Sequence, residues 1–503
     1  MTPPGPRRDV ELVEDGEPRS TDVPAPPRVP TRRRVRRVGL GAAAVATVVA
    51  VAAVGQTVVD RREEARLAAV AELPTVAAAL SGRPGVLWDV PDDAVLETQV
   101  RTPDGLLVGV RAETGKSVQA VAFDAGTGSL VWERDLVDAA ARQPQDEMVR
   151  RTVPGSCALD PGSPGRVVCL AGDDMWALDE GALRRVPPTT LRLVVLDTDD
   201  GSVVADLTDS LAGPGRTSLA VVGDVVVVGR VSGDRVDVRA LTTDGVVRWQ
   251  TVLPGPVDED VSDVVAPLED LVAVTTSSAV VLLDATGGTV REVPRPDGRS
   301  VLRQAPGTPA DTSFTQLEQL LGARWSAPGP NPPRTVVVGA DEDVEVLGEV
   351  MVLSVDDGSV PGLVITSVGP VLHGWDGDGD ELWSVELPAG WGALLLDGRL
   401  HMDGGTRLVT LDARTGVELW RTAATVEAPV TDGRLLLGNA ATPSRGVQTE
   451  LVALDPRDGS EVWRTPLPDD ARLVVHHQLL LARWYEIPTD AFDEWTDHVT
   501  ALG

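Results

Sequence analysis

The sequence predicts an all-β fold: an eight-bladed β-propeller, with seven blades as the alternative, closed by strands from the two chain ends and preceded by one transmembrane helix. Three observations predict it. A hairpin motif recurs along the chain, at steps of 43 or 44 residues from Asp197 to Leu241 to Asp284 and from Asp412 to Asp455. One copy is split, with Val499–Gly503 as its first half and Pro84–Trp88 as its second. An uncharged run of 22 residues, Val38 to Val59, lies ahead of all of them.

Residues 1–37 are rich in proline and charge, a composition that buries too little apolar surface to offset the entropy of ordering, and they are expected to form a disordered cytoplasmic tail. The tail carries nine Arg against six acidic residues, whereas the whole chain has a net charge of −31. Arg32, Arg33, Arg34, Arg36 and Arg37 abut the apolar run, and this basic flank places the N-terminus in the cytoplasm. As a helix, residues 38–59 would extend about 33 Å, enough to cross a bilayer. An uncleaved signal-anchor is the expectation and a cleaved export signal the alternative. Residues 60–81 have apolar positions at helical spacing up to Pro74 and read as a helical stalk or linker. The acidic remainder argues against contact with a nucleic-acid backbone, so no nucleic-acid partner is expected.

Residues 82–503 hold the motif: an apolar strand, then Asp-x-x-x-Gly, then x-x-x-Trp. It is complete at Asp124, Gly128, Trp132; at Asp412, Gly416, Trp420; and at Asp455, Gly459, Trp463. Asp197 with Gly201, and Asp284 with Gly288, keep the turn but have Ala205 and Glu292 in place of Trp. Gly245 with Trp249, and Gly379 with Trp383, keep Trp but have Leu241 and Trp375 in place of Asp. Seven internal copies plus the split one, which ends in Trp88, make eight, and a period of this length is that of a four-stranded blade. Glycine supplies positive φ in the turn, Asp braces it, and Trp at a fixed place in each unit packs between neighbours. The tryptophans are therefore read as structural rather than as a ligand-stacking platform. Two longer gaps between motifs read as insertions, the second of them (Arg291 to Glu349) as a surface excursion.

This repeat resembles the PQQ-like, or quinoprotein alcohol dehydrogenase-like, β-propeller family. The family includes PQQ-dependent dehydrogenases, the propeller lipoprotein of the outer-membrane barrel assembly machine, and membrane-anchored bacterial proteins of other roles. The resemblance implies an eight-bladed ring whose N-terminal strand completes the last blade. It implies little about activity, because one fold carries unrelated functions. Enzymes of the family use an adjacent-cysteine disulfide, a stacking Trp and a metal site with a catalytic Asp. This chain has no adjacent cysteines. The expectation is a non-enzymatic member without a cofactor.

Cys157 and Cys169 are the only cysteines, and outside the cytoplasm a lone pair flanking a hairpin points to a disulfide; a redox-active pair is the alternative. His373, His401, His476, His477 and His498 have no metal-ligand spacing, and His476 and His477 are expected within an apolar strand. Asp376-Gly-Asp-Gly-Asp380 superficially matches a calcium loop but has Leu387 where a bidentate Glu belongs, so it reads as an acidic turn. No catalytic, cofactor or metal residue is assigned. The function expected is a protein-interaction scaffold at the cell envelope, in the cell membrane with the propeller extracytoplasmic. A binder or sensor of wall polymer or small ligand is the second reading, and a PQQ-dependent dehydrogenase the third.

Overall fold

Runs such as Val225–Val228, Leu394–Leu396 and Leu480–Leu481 leave almost no polar side chain on either face, so their sheets are stable only when covered from both sides. The computed structural model realises this as a closed series of packed sheets. It describes residues 61–503 except 62, 92, 113–116, 139–149, 153–154, 180–181, 212, 214, 258–263, 296–299, 303–332, 388–391, 405–406, 423–425, 442–447, 469–470 and 487–495. The tail and the apolar run 38–59 lie outside the described residues. Among those described, no helix is long and apolar enough to cross a membrane.

Among the described residues, eight sheets whose four motif strands are antiparallel carry the motif copies. Sheet 1 runs Thr98–Arg101, Leu106–Ala112, Val118–Asp124, Leu130–Val137, and sheet 2 runs Ser156–Asp160, Ser163–Gly172, Leu191–Asp197, Val203–Asp206. Sheet 3 runs Thr217–Val222, Val225–Ser232, Arg235–Leu241, Val247–Pro254, and sheet 4 runs Val265–Leu268, Leu271–Thr275, Ala279–Leu283, Thr289–Pro294. Sheet 5 runs Glu349–Val350, Val364–Val368, Val371–Trp375, Glu381–Glu386, and sheet 6 runs Ala393–Leu396, Arg399–Asp403, Leu408–Asp412, Glu418–Arg421. Sheet 7 runs Val426–Thr431, Leu436–Ala441, Gln448–Leu454, Glu461–Pro466. Sheet 8 takes Arg472–His476, Leu479–Glu486 and Thr496–Leu502 from the C-terminus and its fourth strand, Val86–Val90, from the other end of the chain.

Apolar clusters join each sheet to the next and return to the start. Sheets 1 and 2 share Val108, Trp132 and Val194; sheets 7 and 8 share Leu451, Trp463 and Leu480; sheets 8 and 1 share Trp88, Leu107 and Val499. Between sheets 4 and 5 a further three-stranded sheet is wedged: Ser300–Leu302, Arg334–Val338 and Asp343–Leu347. Val336 and Val338 pack against sheet 4, while Val337, Val344 and Val346 pack against sheet 5. The described part of the second long gap is thus a core element and not a surface excursion. Its Arg-Thr-Val-Val-Val strand buries alternate side chains against two different neighbours.

In sheets 1 to 7 the motif strands follow one another antiparallel, so first-to-second and third-to-fourth connections lie at one end and second-to-third connections and links to the next sheet at the other; sheet 8 does the same with its three C-terminal strands and adds Val86–Val90 antiparallel. These two ends define a turn face and a loop face of the ring. The other three-stranded sheet takes Met175–Asp179 and Ala182–Val186 from the second-to-third connection of sheet 2 and Arg150–Thr152 from the link between sheets 1 and 2, and so belongs to the loop face.

Candidate functional site

The repeated Trp and Gly meet across sheet boundaries. Trp132 of sheet 1 donates its indole N–H to Thr198 O at 2.7 Å, in the turn of sheet 2. Gly201 in that turn has φ +67°, and a Cβ on it would stand 2.6 Å from the Trp132 ring. Glycine is needed there twice over, for its backbone and for the flat ring lying on it. The same pairing joins Trp88 to Ala125 O (3.0 Å) and Gly128, Trp249 to Ala285 O (2.8 Å) and Gly287, Trp383 to Ala413 O (2.9 Å) and Gly416, and Trp420 to Pro456 O (3.3 Å) and Gly459. In sheet 4 the positive-φ residue is Gly287 (φ +79°), one place before the Gly288 that the spacing suggests. Trp463 is buried in the cluster between sheets 7 and 8. The first five indoles are committed to packing and to backbone carbonyls, and Trp463 to packing.

Cys157 and Cys169 face each other on the first two strands of sheet 2 and form a disulfide, with Cα atoms 4.1 Å apart. Both lie in the core between sheets 1 and 2, which shields the bond from exchange partners. The Asp376 carboxylate accepts hydrogen bonds from the amides of Asp378 (3.0 Å) and Asp380 (2.9 Å), so it is spent on its own turn. No group of three potential metal ligands occurs among the described residues.

The five histidines are dispersed. His373 Nδ1 lies 3.1 Å from Glu381. His401 has 0 % exposure, shares a 2.7 Å hydrogen bond with Thr410, and is held by burial, with a contribution from Arg399, down to about 3. His476 ends a strand and bonds Thr98 Oγ1 at 2.8 Å. His477 lies in the following turn rather than in the strand. It and Gln478 take φ +48° and +68°, as a two-residue hairpin turn with two left-handed positions requires. His498 stacks on Trp484, with ring centroids 4.1 Å apart, beside the closure of sheet 8. There Thr500 Oγ1 donates to Asp89 at 2.6 Å and accepts from Trp484 Nε1 at 3.1 Å, tying both chain ends together.

The axis of a propeller is the usual place for a ligand, since the first strands of all blades converge on it. Here the first strand of sheet 6 is paired on its inner edge by Val355–Asp356, running parallel to it through Val355 opposite Leu394 and Asp356 opposite Leu395. Burial raises the Asp356 carboxyl above its ordinary range, and Asp357 accepts a 2.7 Å hydrogen bond from the Asp397 amide. Residues 65–80 pack beside this strand. The helix there ends at Ala71, ahead of Pro74. Val70 and Val76 are buried with Val355, Leu394, Leu396 and Leu436. Ala77 N donates to Thr431 O (2.8 Å), Ala78 N to Gln478 O (2.8 Å), Gln478 N to Pro74 O (3.0 Å), and Leu80 N to an Asp432 carboxylate oxygen (3.1 Å). Gln478 Nε2 caps the chain by donating to Ala71 O at 2.7 Å. Nothing in the sequence signalled the inner strand, which is two residues long; the docking of residues 70–80 is signalled only by apolar positions that serve a stalk equally well.

The sequence matches a family profile described as outer membrane protein assembly factor BamB over residues 117–316 and 350–479, more than half of the chain. No curated protein matches it. Among solved structures it is similar to BamB from Moraxella catarrhalis, with 15 % identity and a TM-score of 0.40 over 83 % of this chain and 99 % of that one. It is also similar to the quinohemoprotein alcohol dehydrogenase from Comamonas testosteroni, with 12 % identity and a TM-score of 0.41 over 86 % and 79 % of the two chains. AztD from Citrobacter koseri aligns at 12 % identity with a TM-score of 0.29, over 72 % and 94 %.

Proposed function

This chain belongs to the BamB-type family of PQQ-like β-propellers, and from that premise we propose that it is a protein-interaction scaffold at the cell envelope. On this reading Val38–Val59 anchors it in the cell membrane, the tail is cytoplasmic and the ring extracytoplasmic, with the eight motif-bearing sheets as blades. The family description, an assembly factor, supports proteins as the partners. The buried disulfide supports an oxidising compartment, where such bonds persist. The observation that supports the non-enzymatic reading is the inner edge of sheet 6, which Val355–Asp356 pairs and which shares a buried apolar cluster with Val70 and Val76.

The test is a titration of the purified chain with PQQ and calcium, followed by a dye-linked alcohol oxidation assay. No binding and no turnover is the expected result. Stoichiometric binding with turnover sinks the scaffold reading in favour of an oxidoreductase. Crosslinking in intact membranes, with enrichment of the same envelope protein by the wild-type chain and its loss on ring unfolding, is the positive arm.

A further inference from the structure

Each motif-bearing sheet ends in an outer strand whose far edge is unpaired among the described residues. Open edges invite a further strand, and a charged side chain on the edge is a common guard. Seven of the eight outer strands have one at or after the motif's Trp position, as Glu133, Asp206, Glu292, Arg421 and Asp89 illustrate. The outer strand of sheet 3 has none, since from Trp249 to Pro254 it reads Trp-Gln-Thr-Val-Leu-Pro. Fourteen large apolar side chains are exposed among the described residues, and thirteen stand within three places before the Trp position of a motif copy. Val252, 56 % exposed, is the exception, and it belongs to this edge.

The hydrogen-bond register fixes what the edge offers. Gly255 N donates to Asp234 O at 2.7 Å, towards the third strand. Backbone groups alternate between the two sides of an antiparallel strand, so Leu253, Thr251 and Trp249 also turn theirs inward, opposite Val236, Val238 and Ala240. Gln250 and Val252 therefore turn both N–H and C=O outward.

We propose that the outer edge of sheet 3 docks an extended segment of a partner protein, which adds as a fifth strand along Gln250–Pro254 and sets an apolar, β-branched side chain beside Val252. This rests on the scaffold reading above and names its contact. A strand is the occupant that satisfies the edge, because the groups on offer are alternating backbone donors and acceptors. The net charge of −31 opposes an acidic segment, a second copy of this chain included, and attracts one flanked by Lys or Arg. The ladder supplies affinity, and the cross-strand contact with Val252 sets the register.

The probe is an acetylated, amidated peptide, Lys-Lys-Thr-Val-Thr-Val-Thr-Lys-Lys, added to the purified full chain. Hydrogen exchange is read at single amides. The peptide should slow exchange at Gln250 and Val252 by at least about tenfold and leave the outer strand of sheet 1 unchanged. Val252→Pro removes an N–H that the ladder does not use and should abolish protection at Gln250. Val252→Lys, across from Asp237, should do the same through a guard charge and keeps the test open if the proline chain does not fold. No protection in the wild type at millimolar peptide, or equal protection in the Val252→Lys chain, overturns the site. Equal protection by a peptide with Glu in place of its lysines overturns the basic segment. Protection that grows with protein concentration alone makes a second copy the occupant and overturns the partner. Crosslinking in intact membranes separates this proposal from the reading beneath it. An envelope protein enriched alike by wild type and by the Val252→Lys chain overturns the edge alone, whereas none enriched by the wild type sinks the scaffold reading and the partner with it.

Discussion

Trp132 and Gly201 show how little freedom the repeat leaves to single residues. A methyl group at Gly201 meets the indole at 2.6 Å and also strains a backbone at φ +67°, so Gly201→Ala should cost about 1–3 kcal/mol. Trp132→Ala should cost about 3–5 kcal/mol, the usual range for a buried indole. Denaturant titration of both variants and the double mutant should give strongly non-additive losses, because the methyl clash disappears with the ring. His401 gives a pH dependence. Its folded pKa is depressed to about 3 by burial, so the unfolded chain binds the extra proton below about pH 6.5. Its contribution is therefore intact above pH 6.5 and is lost as pH falls, by about 1.4 kcal/mol per unit down to about pH 3. His401→Gln should flatten that part of the stability profile; an unchanged slope would mean that His401 does not carry it.

At the scale of the element, the irregular motif copies follow a rule that sequence spacing alone did not expose. At the internal boundaries Trp in one sheet and Asp in the next are kept or lost together, whereas at the closing one Trp463 faces a sheet with Gly503 at the Asp position. Trp88, Trp132, Trp249, Trp383 and Trp420 meet turns built on Asp124, Asp197, Asp284, Asp412 and Asp455. Sheet 2 has Ala205 at the Trp position, and the facing turn of sheet 3 has Leu241 at the Asp position, with Leu207 filling the space over Gly245. The hairpins, the closing strand and the cysteine pair were legible because each depends on local chemistry: a turn glycine, a split motif, two thiols across a hairpin. The wedged three-stranded sheet and the inner strand were not, since a few residues of Val, Asp or Thr acquire their meaning only from the neighbour they touch. The disulfide spans 12 residues on adjacent strands, and reducing it or replacing both cysteines should cost about 2–3 kcal/mol. Thermal melts with and without reductant measure this directly.

For the whole molecule, the outer edge of the third strand of sheet 8 is paired, among the described residues, by a segment from far earlier in the chain, Val86–Val90. Deleting Val86–Val90 leaves Thr496–Leu502 as an open edge, and edges of that kind recruit strands from other molecules. The deletion should convert a monomer into oligomers or aggregates, read by size-exclusion chromatography with light scattering; a stable monomer would show that the edge is protected by other means. The net charge of −31 acts at the same scale, keeping closed rings apart in solution while leaving an opened one to pair where strand hydrogen bonding outweighs repulsion.

The clasp between Asp89 and Thr500 bridges 411 positions of sequence, and that separation is also an interval of time. During synthesis Val86–Val90 emerges before sheets 1 to 7 and pairs only when Thr496–Leu502 has been made. Sheets 1 to 7 can each form from neighbouring segments as they appear, but the eighth must wait for that distant strand. The final step of folding is thus a slow, long-range search. Until it succeeds, Val86 and Leu87, already among the exposed apolar side chains of the finished ring, remain an early-made strand in need of a guardian.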